Sequence, residues 1–331
     1  MKLVVTIPAY NEENTIGKVI KEIPREIEGI EKVEVLVIND GSTDNTVKVA
    51  KEAGADRIVS HIANKGVGSA FSTGLYSALK MGADIIVNID ADGQFNPKDI
   101  PKLIKPILDG NADFVTASRF LDKGLEPEMP WIKKIGNKIF TRLVNWVTKQ
   151  KFTDTQCGFR AYSKDAALRL NLFGNFTYTQ EVFINLVNKG LKIEEIPLRV
   201  EYKANRQSRV VTNAFSYGIK ALIIIIKTIR DYKPLKFFGG IGLSIFSLGF
   251  ISGTFLFTRW LFTGRVSPYK SLVNLSALLL IIGFLLIFLA LIADMMDRQR
   301  KIEEEILYRL KKIEFDMRRE TKNSFNRDIN P

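Results

Sequence analysis

Asp90-Ala91-Asp92 places two carboxylates one small residue apart, at the end of the apolar run Asp84-Ile85-Ile86-Val87-Asn88-Ile89. Gly82 precedes the run and Gly93 closes it, the pattern of a buried strand. Packing explains such a pair poorly. Side chains at i and i+2 of a continuing strand point the same way, and a turn starting at Gly93 would free both. Two hard oxygen ligands, with the amide of Gln94 next to them, suit Mg2+ or Mn2+ carrying a diphosphate. An acidic surface turn is the bland alternative.

The elements around the pair carry an α/β rhythm. Strands are predicted at Lys2–Ile7, Glu34–Asn39, Arg57–His61, Asp84–Asp90 and Asp113–Ala117. Helices are predicted between them, at Asn14–Glu28, Thr43–Ala53, Gly68–Met81 and Pro97–Asp109. Such alternation implies a doubly wound, mostly parallel sheet with helices on both faces. Ligands of these folds gather beyond the C-terminal ends of the strands. Three of those ends carry reactive or turn-forming residues: Pro8-Ala9-Tyr10-Asn11-Glu12, Asp40-Gly41-Ser42 and Asp90-Ala91-Asp92.

Beyond residue 211 the composition changes. Residues 212–234 mix Phe215, Tyr217, Ile219 and Leu222 with Lys220, Lys227 and Arg230, which suits an amphipathic segment at a membrane interface or an ordinary packed helix. Residues 235–293 hold two apolar stretches, Leu235–Phe262 and Leu272–Ala293, the second without a charge. Each meets the about 20 residues needed to cross a bilayer. Gly and Ser through the first stretch suit close packing on another helix. Residues 294–331 read as a charged helix with an apolar stripe, Ile302, Ile306, Leu310, Ile313 and Met317, followed from Thr321 by a disordered tail. The stripe is a candidate seam for a second copy of the chain, as a short coiled coil, or for the helix to lie back on its own domain.

The N-terminus leads straight into a strand-like run without a signal-peptide pattern, so the hydrophilic part is expected to stay where it was made. Lys and Arg cluster before the first span and after the second, which places both ends in the cytoplasm by the positive-inside rule. The net charge of +12 lies largely beside the spans, where anionic lipid is a simpler partner than nucleic acid. The single cysteine, Cys157, excludes an internal disulfide, and the single histidine, His61, excludes a His-rich metal site.

Five motifs in order carry a resemblance. They are Ile7-Pro8-Ala9-Tyr10-Asn11-Glu12-Glu13, Asn39-Asp40-Gly41-Ser42-Thr43-Asp44, Asp90-Ala91-Asp92-Gly93-Gln94, Ser118-Arg119-Phe120 and Asp154-Thr155-Gln156-Cys157-Gly158-Phe159-Arg160. Over residues 1–211 the chain resembles family 2 glycosyltransferases of the GT-A fold, in the branch that glycosylates polyprenyl phosphates. The resemblance implies that Pro8, Tyr10, Glu12, Asp40, Asp90 and Ala91 bind the donor nucleotide. Lys65, beside Gly66 and Gly68, is either a phosphate contact or part of a plain helix start. Position 71 is Phe71, not the third glycine of a dinucleotide fingerprint, which argues against a dehydrogenase. Asp90, Asp92 and Gln94 would hold the cation. Arg119, Lys133, Asn137, Arg206, Ser208 and Arg209 would meet the acceptor phosphate. Lys133, Asn137 and Arg206-Gln207-Ser208-Arg209 depart from the pattern of the mannose synthases in this branch.

The expected reaction is inverting transfer of one hexose to a dolichyl or undecaprenyl phosphate at the cytoplasmic face. The donor would be UDP-glucose, UDP-N-acetylglucosamine or GDP-mannose. The catalytic residues would be Asp92, Arg119 and Glu181. A lipid phosphate is mostly ionised near neutral pH, so Glu181 has little need to abstract a proton. The membrane would be the cell membrane in a prokaryote or the endoplasmic reticulum in a eukaryote. Self-association would run through the spans and the last helix. Two other functions compete. A processive polysaccharide synthase would carry Gln-x-x-Arg-Trp, whereas Arg259-Trp260 lacks the Gln. A non-catalytic membrane scaffold would have no need of Asp90, Asp92 and Arg119.

Overall fold

The computed structural model describes residues 1–127, 129, 131–171, 178–200, 226–227, 230 and 233–329, without the side chains of 132, 133 and 318–329. The chain forms two units, Met1–Thr212 with Glu305–Pro331, and Asn213–Glu304.

The first unit is built on seven strands: β1 (Lys2–Ala9), β2 (Lys32–Asn39), β3 (Arg57–Ser60), β4 (Ile85–Asn88), β5 (Phe114–Ser118), β6 (Arg160–Ser163) and β7 (Ile193–Pro197). Their order is β3-β2-β1-β4-β6-β5-β7. β1 runs parallel to β2 and β4, with Thr6 opposite both Leu36 and Asn88. β6 is antiparallel to β4 and β5, and β7 is parallel to β5. The expected parallel order therefore holds for the first half, and β6 inserts against it.

The central strands are buried on both faces, so they read as continuous Val, Ile and Leu runs. Leu3, Val5, Ile7, Val35, Val37 and Val87 pack with Ile16, Val19 and Ile20 of α1 (Ile16–Glu22) and Leu103 and Ile104 of α4 (Ile100–Leu108). On the other face Gly74 of α3 (Val67–Lys80) rests on Thr6 and Ile38, at ordinary contact distance for an added Cβ. The helices α2 (Thr46–Glu52), α5 (Trp131–Thr148), α6 (Lys164–Arg169) and α7 (Tyr178–Asn188) complete the cover.

Two long helices follow, α8 (Pro234–Thr263) and α9 (Lys270–Ile329). Both are long and apolar enough to cross a membrane. Their backbones touch. A Cβ on Gly242 or Gly249 would stand 2.9 or 2.8 Å from the amide nitrogens of Ile287 or Leu280, and one on Gly283 would stand 2.5 Å from that of Phe246. Ser276 Oγ bonds Ser252 Oγ at 2.9 Å across the pair.

The distal part of α9 belongs to the first unit, and it differs from two readings of the sequence, the stripe lying back on its own domain and the disordered tail. Its apolar stripe is exposed at Ile306, Leu310, Ile313 and Met317. The buried face is Tyr308 and Phe315, seven residues apart. Tyr308 donates to Asp165 Oδ1 at 2.6 Å, Lys311 Nζ to Asn171 Oδ1 at 2.8 Å, and Lys164 pairs with Asp316 at 2.8 Å. An aromatic and charged face thus docks where the aliphatic stripe was expected to be the sticky side. α9 also runs on to Ile329, through the tail expected to be disordered from Thr321. Extending a formed helix adds a bond per residue without a new nucleus. The segment predicted to lie at the membrane interface falls outside the described residues except at Ile226, Lys227, Arg230, Lys233 and Pro234.

Candidate active site

The loops after β1 and β2 are laced together. Asn11 sits at φ 54°, a left-handed conformation that Asn tolerates. There its Oδ1 accepts from Thr43 N at 2.8 Å while its own N–H donates to Ser42 Oγ at 3.0 Å. Glu12 N donates to Thr46 Oγ1 at 2.8 Å, and Asn45 N to Glu13 Oε2 at 2.9 Å. These bonds hold Tyr10, which is exposed, at the C-terminal edge of the sheet. Pro8 is still in β1, opposite Ile38.

Asp40 is buried and fully engaged. Its carboxylate accepts from Lys65 N and Gly66 N, each at 2.9 Å, and meets His61 Nδ1 at 2.7 Å. His61 Nε2 meets Thr73 Oγ1 at 2.9 Å. Asp40 therefore fastens the loop that leads into α3, and the histidine is part of that clamp. The Lys65 side chain stands exposed immediately before the helix.

β4 ends at Asn88, earlier than the strand expected through Asp90. Ile89 N still donates to Thr6 O at 3.1 Å, and Gly93, at φ 68°, then turns the chain. Asp90 and Asp92 consequently occupy a turn, in which Asp92 Oδ1 accepts from Gln94 N at 3.1 Å. Ala91 is buried between them. Gln94 lines a cavity of about 290 Å³ with Asn14, Thr15, Lys18 and Asp99, to which neither Asp90 nor Asp92 contributes.

Asp90 is crowded. Desolvation and then the charge of Asp92 push its carboxyl up to about 7, against the pull of Arg160 and Arg119. Gly158 lies against it, and a Cβ there would stand 2.6 Å from Asp90 Oδ2. Asn88 Nδ2 fixes that approach by donating to Gly158 O at 2.9 Å. Among the described residues no three His, Cys, Asp or Glu side chains form a metal cage. Two neighbouring carboxylates, one of them crowded by burial, nonetheless fit a hard divalent cation that takes its remaining ligands from water and phosphate. Asp90 and Asp92 are the residues that would hold it.

The second charged centre surrounds Asp154, which has no exposed surface. Arg119 Nε and Nη2 donate to its two oxygens at 2.6 and 2.9 Å, and Asn137 Nδ2 donates at 2.9 Å. Burial alone would raise the Asp154 pKa, but the Arg119 guanidinium and these bonds hold it below the usual carboxylate range. Glu195 of β7 fastens the preceding loop by accepting from Thr153 N and Asp154 N. Arg119 and Asn137 thus meet at one carboxylate. Glu181 lies in the first turn of α7 and is half-buried. Lys133 lies on α5 with its side chain outside the described residues, and Arg206, Ser208 and Arg209 lie outside them altogether.

Sequence reasoning gave no role to Asp154, Gly158, Asn88 or Glu195. The run from Asp154 to Arg160 marked the first two as part of a motif, whereas Asn88 and Glu195 carried no signal beyond polar residues inside strands. Cys157 is buried, which raises its thiol to about 12 and leaves it structural.

Residues 4–170 match the model of the glycosyl transferase family 2. A UDP-N-acetylglucosamine–dolichyl-phosphate N-acetylglucosaminyltransferase of Methanococcus voltae is 32% identical over 67% of this chain and 94% of its own. A dolichol-phosphate mannosyltransferase of Pyrococcus furiosus is 27% identical over 74% of this chain and 69% of its own. Among solved structures, glucosyl-3-phosphoglycerate synthase of Mycobacterium tuberculosis, in complex with Mn2+, UDP and glucosyl-3-phosphoglycerate, aligns with a TM-score of 0.53. That alignment has 24% identity over 69% of this chain and 78% of that one, a likeness of fold.

Proposed function

Since this chain belongs to glycosyl transferase family 2, we propose that it transfers one hexose from a nucleotide diphospho-sugar to a polyprenyl phosphate at the cytoplasmic face of a membrane. Relatives named for transfer to dolichyl phosphate support glycosyl transfer to a lipid phosphate. The observation that carries the reading is the crowded Asp90–Asp92 turn, in one chain with two helices able to cross a bilayer. UDP-N-acetylglucosamine is the first donor to test, because the Methanococcus voltae relative is named for it.

In this reading an oxygen of the lipid phosphate attacks the anomeric carbon while the bond to the donor diphosphate breaks. Nucleoside diphosphate leaves, and an α-linked donor gives a β-linked product. A Mg2+ or Mn2+ ion on Asp90 and Asp92 would neutralise the charge growing on the leaving group. Tyr10, Glu12 and the loop fastened by Asp40 border the nucleotide, with Pro8, Lys65 and Ala91 beside them. Arg119, oriented by Asp154, supplies positive charge for the acceptor with Lys133, Arg206 and Arg209, and Asn137 and Ser208 offer it hydrogen bonds. Glu181 orients the acceptor, which arrives ionised and needs no base.

The test uses membranes containing the full chain, a polyprenyl phosphate and a panel of labelled nucleotide sugars. One donor should yield an acid-labile lipid product, and Asp92→Ala should lower its rate about 10²–10³-fold. Undiminished product with Asp92→Ala in the presence of metal would refute the catalytic assignment.

A further inference from the structure

The docked end of α9 turns one face to its own unit and an apolar face to solvent. Tyr308 and Phe315 are buried, Tyr308 bonding Asp165 of α6 and Phe315 meeting the Tyr76 ring of α3. On the other side Ile306, Leu310, Ile313 and Met317 recur at steps of four, three and four and are 53%, 60%, 54% and 57% exposed. Those steps are the a and d spacing of a heptad, with Ile306 and Ile313 at d and Leu310 and Met317 at a. Tyr308 and Phe315 then both fall at f, the position opposite such a seam. Arg309 falls at g and Glu314 at e, one on each flank of the stripe. Arg309 is exposed and Glu314 half-buried.

We infer that this stripe is the seam of a parallel two-helix coiled coil with a second copy of the chain. In a parallel pair the g residue of one helix faces the e residue five positions further on in the other. Arg309 therefore meets Glu314 of the second copy, and a two-fold axis makes the contact twice. Arg309 already pairs with Glu305 of its own chain at 3.0 Å, and the guanidinium has donors enough for a second carboxylate. An anionic lipid surface is a poorer occupant, because Glu305, Glu314 and Asp316 border the stripe. The direction of pairing rests on the membrane part of the proposed function. α9 continues from its apolar portion to Ile329, so two copies inserted in the same sense carry their stripes the same way. Four apolar layers are fewer than a free coiled coil takes, and confinement of both copies to one bilayer supplies the effective concentration that the seam lacks. Leu310 and Ile313 thus serve association, and the folding of their own unit does not depend on them.

The experiment places cysteines one at a time in the full chain in proteoliposomes, with the native chain, whose single cysteine is buried, as the background. Under a mild oxidant Leu310→Cys and Ile313→Cys should each cross-link to the same residue of the second copy, because a parallel seam sets a on a and d on d. Lys312→Cys, which lies off the seam, should not. Arg309→Glu should lower the cross-linking of Leu310→Cys about fivefold, and Glu314→Arg added to it should restore the yield. Cross-linking no greater at Leu310 and Ile313 than at Lys312 would overturn the inference, since chance collision would then explain it. Linkage of Leu310→Cys to Ile313→Cys in mixed proteoliposomes, with neither linking to itself, would overturn it in favour of an antiparallel pair. The cysteine pattern decides the matter even if the charge-reversed variants do not fold. It is independent of turnover, so Asp92→Ala should slow transfer and leave the cross-linking intact, which separates a failure of this inference from a failure of the catalytic reading.

Discussion

Gly158 lacks a side chain at the place where the Asp90 carboxylate stands. Gly158→Ala would put a methyl group 2.6 Å from Asp90 Oδ2, and Asn88 holds the glycine backbone against retreat. The carboxylate must then leave its present position. Mn2+ titration of the full chain, followed by electron paramagnetic resonance, should show affinity about 10–100-fold weaker. Undisturbed affinity would mean that Asp90 is not a ligand or that the loop yields. Asp154 makes a different demand. An unfolded Asp titrates near 3.9, by a rough reference value, and the native Asp154 titrates lower. Its contribution to stability is therefore complete above about pH 4 and drains away as pH falls through the native value. Asp154→Asn leaves Arg119 buried without its carboxylate and should cost about 3–5 kcal/mol at neutral pH. The gap in melting temperature between the native chain and the variant should narrow below pH 4; a gap independent of pH would contradict the assigned pairing.

At the scale of elements, the end of α9 can be told from its sequence only in part. Its period was visible, and its docked side was not. The stripe Ile306-Leu310-Ile313-Met317 outranks Tyr308 and Phe315 in aliphatic content, yet the sites on α3, on α6 and just after it include Tyr76, Asp165 and Asn171, which select an aromatic face with hydrogen-bonding groups. Phe315→Ala should accordingly cost about 3 kcal/mol. Leu310→Ala, at an exposed position, should stay within about 0.5 kcal/mol. Chemical denaturation of both variants checks the contrast, and the reverse order would restore the aliphatic stripe as the docking side. β1, β2 and β4 were legible because both their faces are largely buried, whereas β3 is a partly exposed edge strand. β7 was not: Ile193-Glu194-Glu195-Ile196-Pro197 is an edge strand with two carboxylates, and one of them is used on Thr153 and Asp154. β6 begins with Arg160, whose charge masks a strand pattern although its side chain is buried against Phe114 and Phe183. The donor-side motifs were readable as short runs, because local turns build them. The Arg119–Asp154–Asn137 centre joins residues 35 and 17 positions apart, which no local pattern reports.

At the scale of the whole molecule, the catalytic unit is discontinuous in the chain. Met1–Thr212 forms the sheet and its helices, and Glu305–Pro331 returns to the same unit after both apolar helices have intervened. This arrangement imposes an order on biosynthesis. A ribosome releases the sheet long before it makes Tyr308 and Phe315, so the surface around Tyr76 and Leu79 emerges into the cell uncovered. If the two apolar helices cross a bilayer, as proposed, it gains its last layer only once they have been handed to the insertion machinery. In that reading delivery to the bilayer and completion of the enzyme become successive steps of one assembly line, and a nascent chain that misses the first would arrive at the second unfinished.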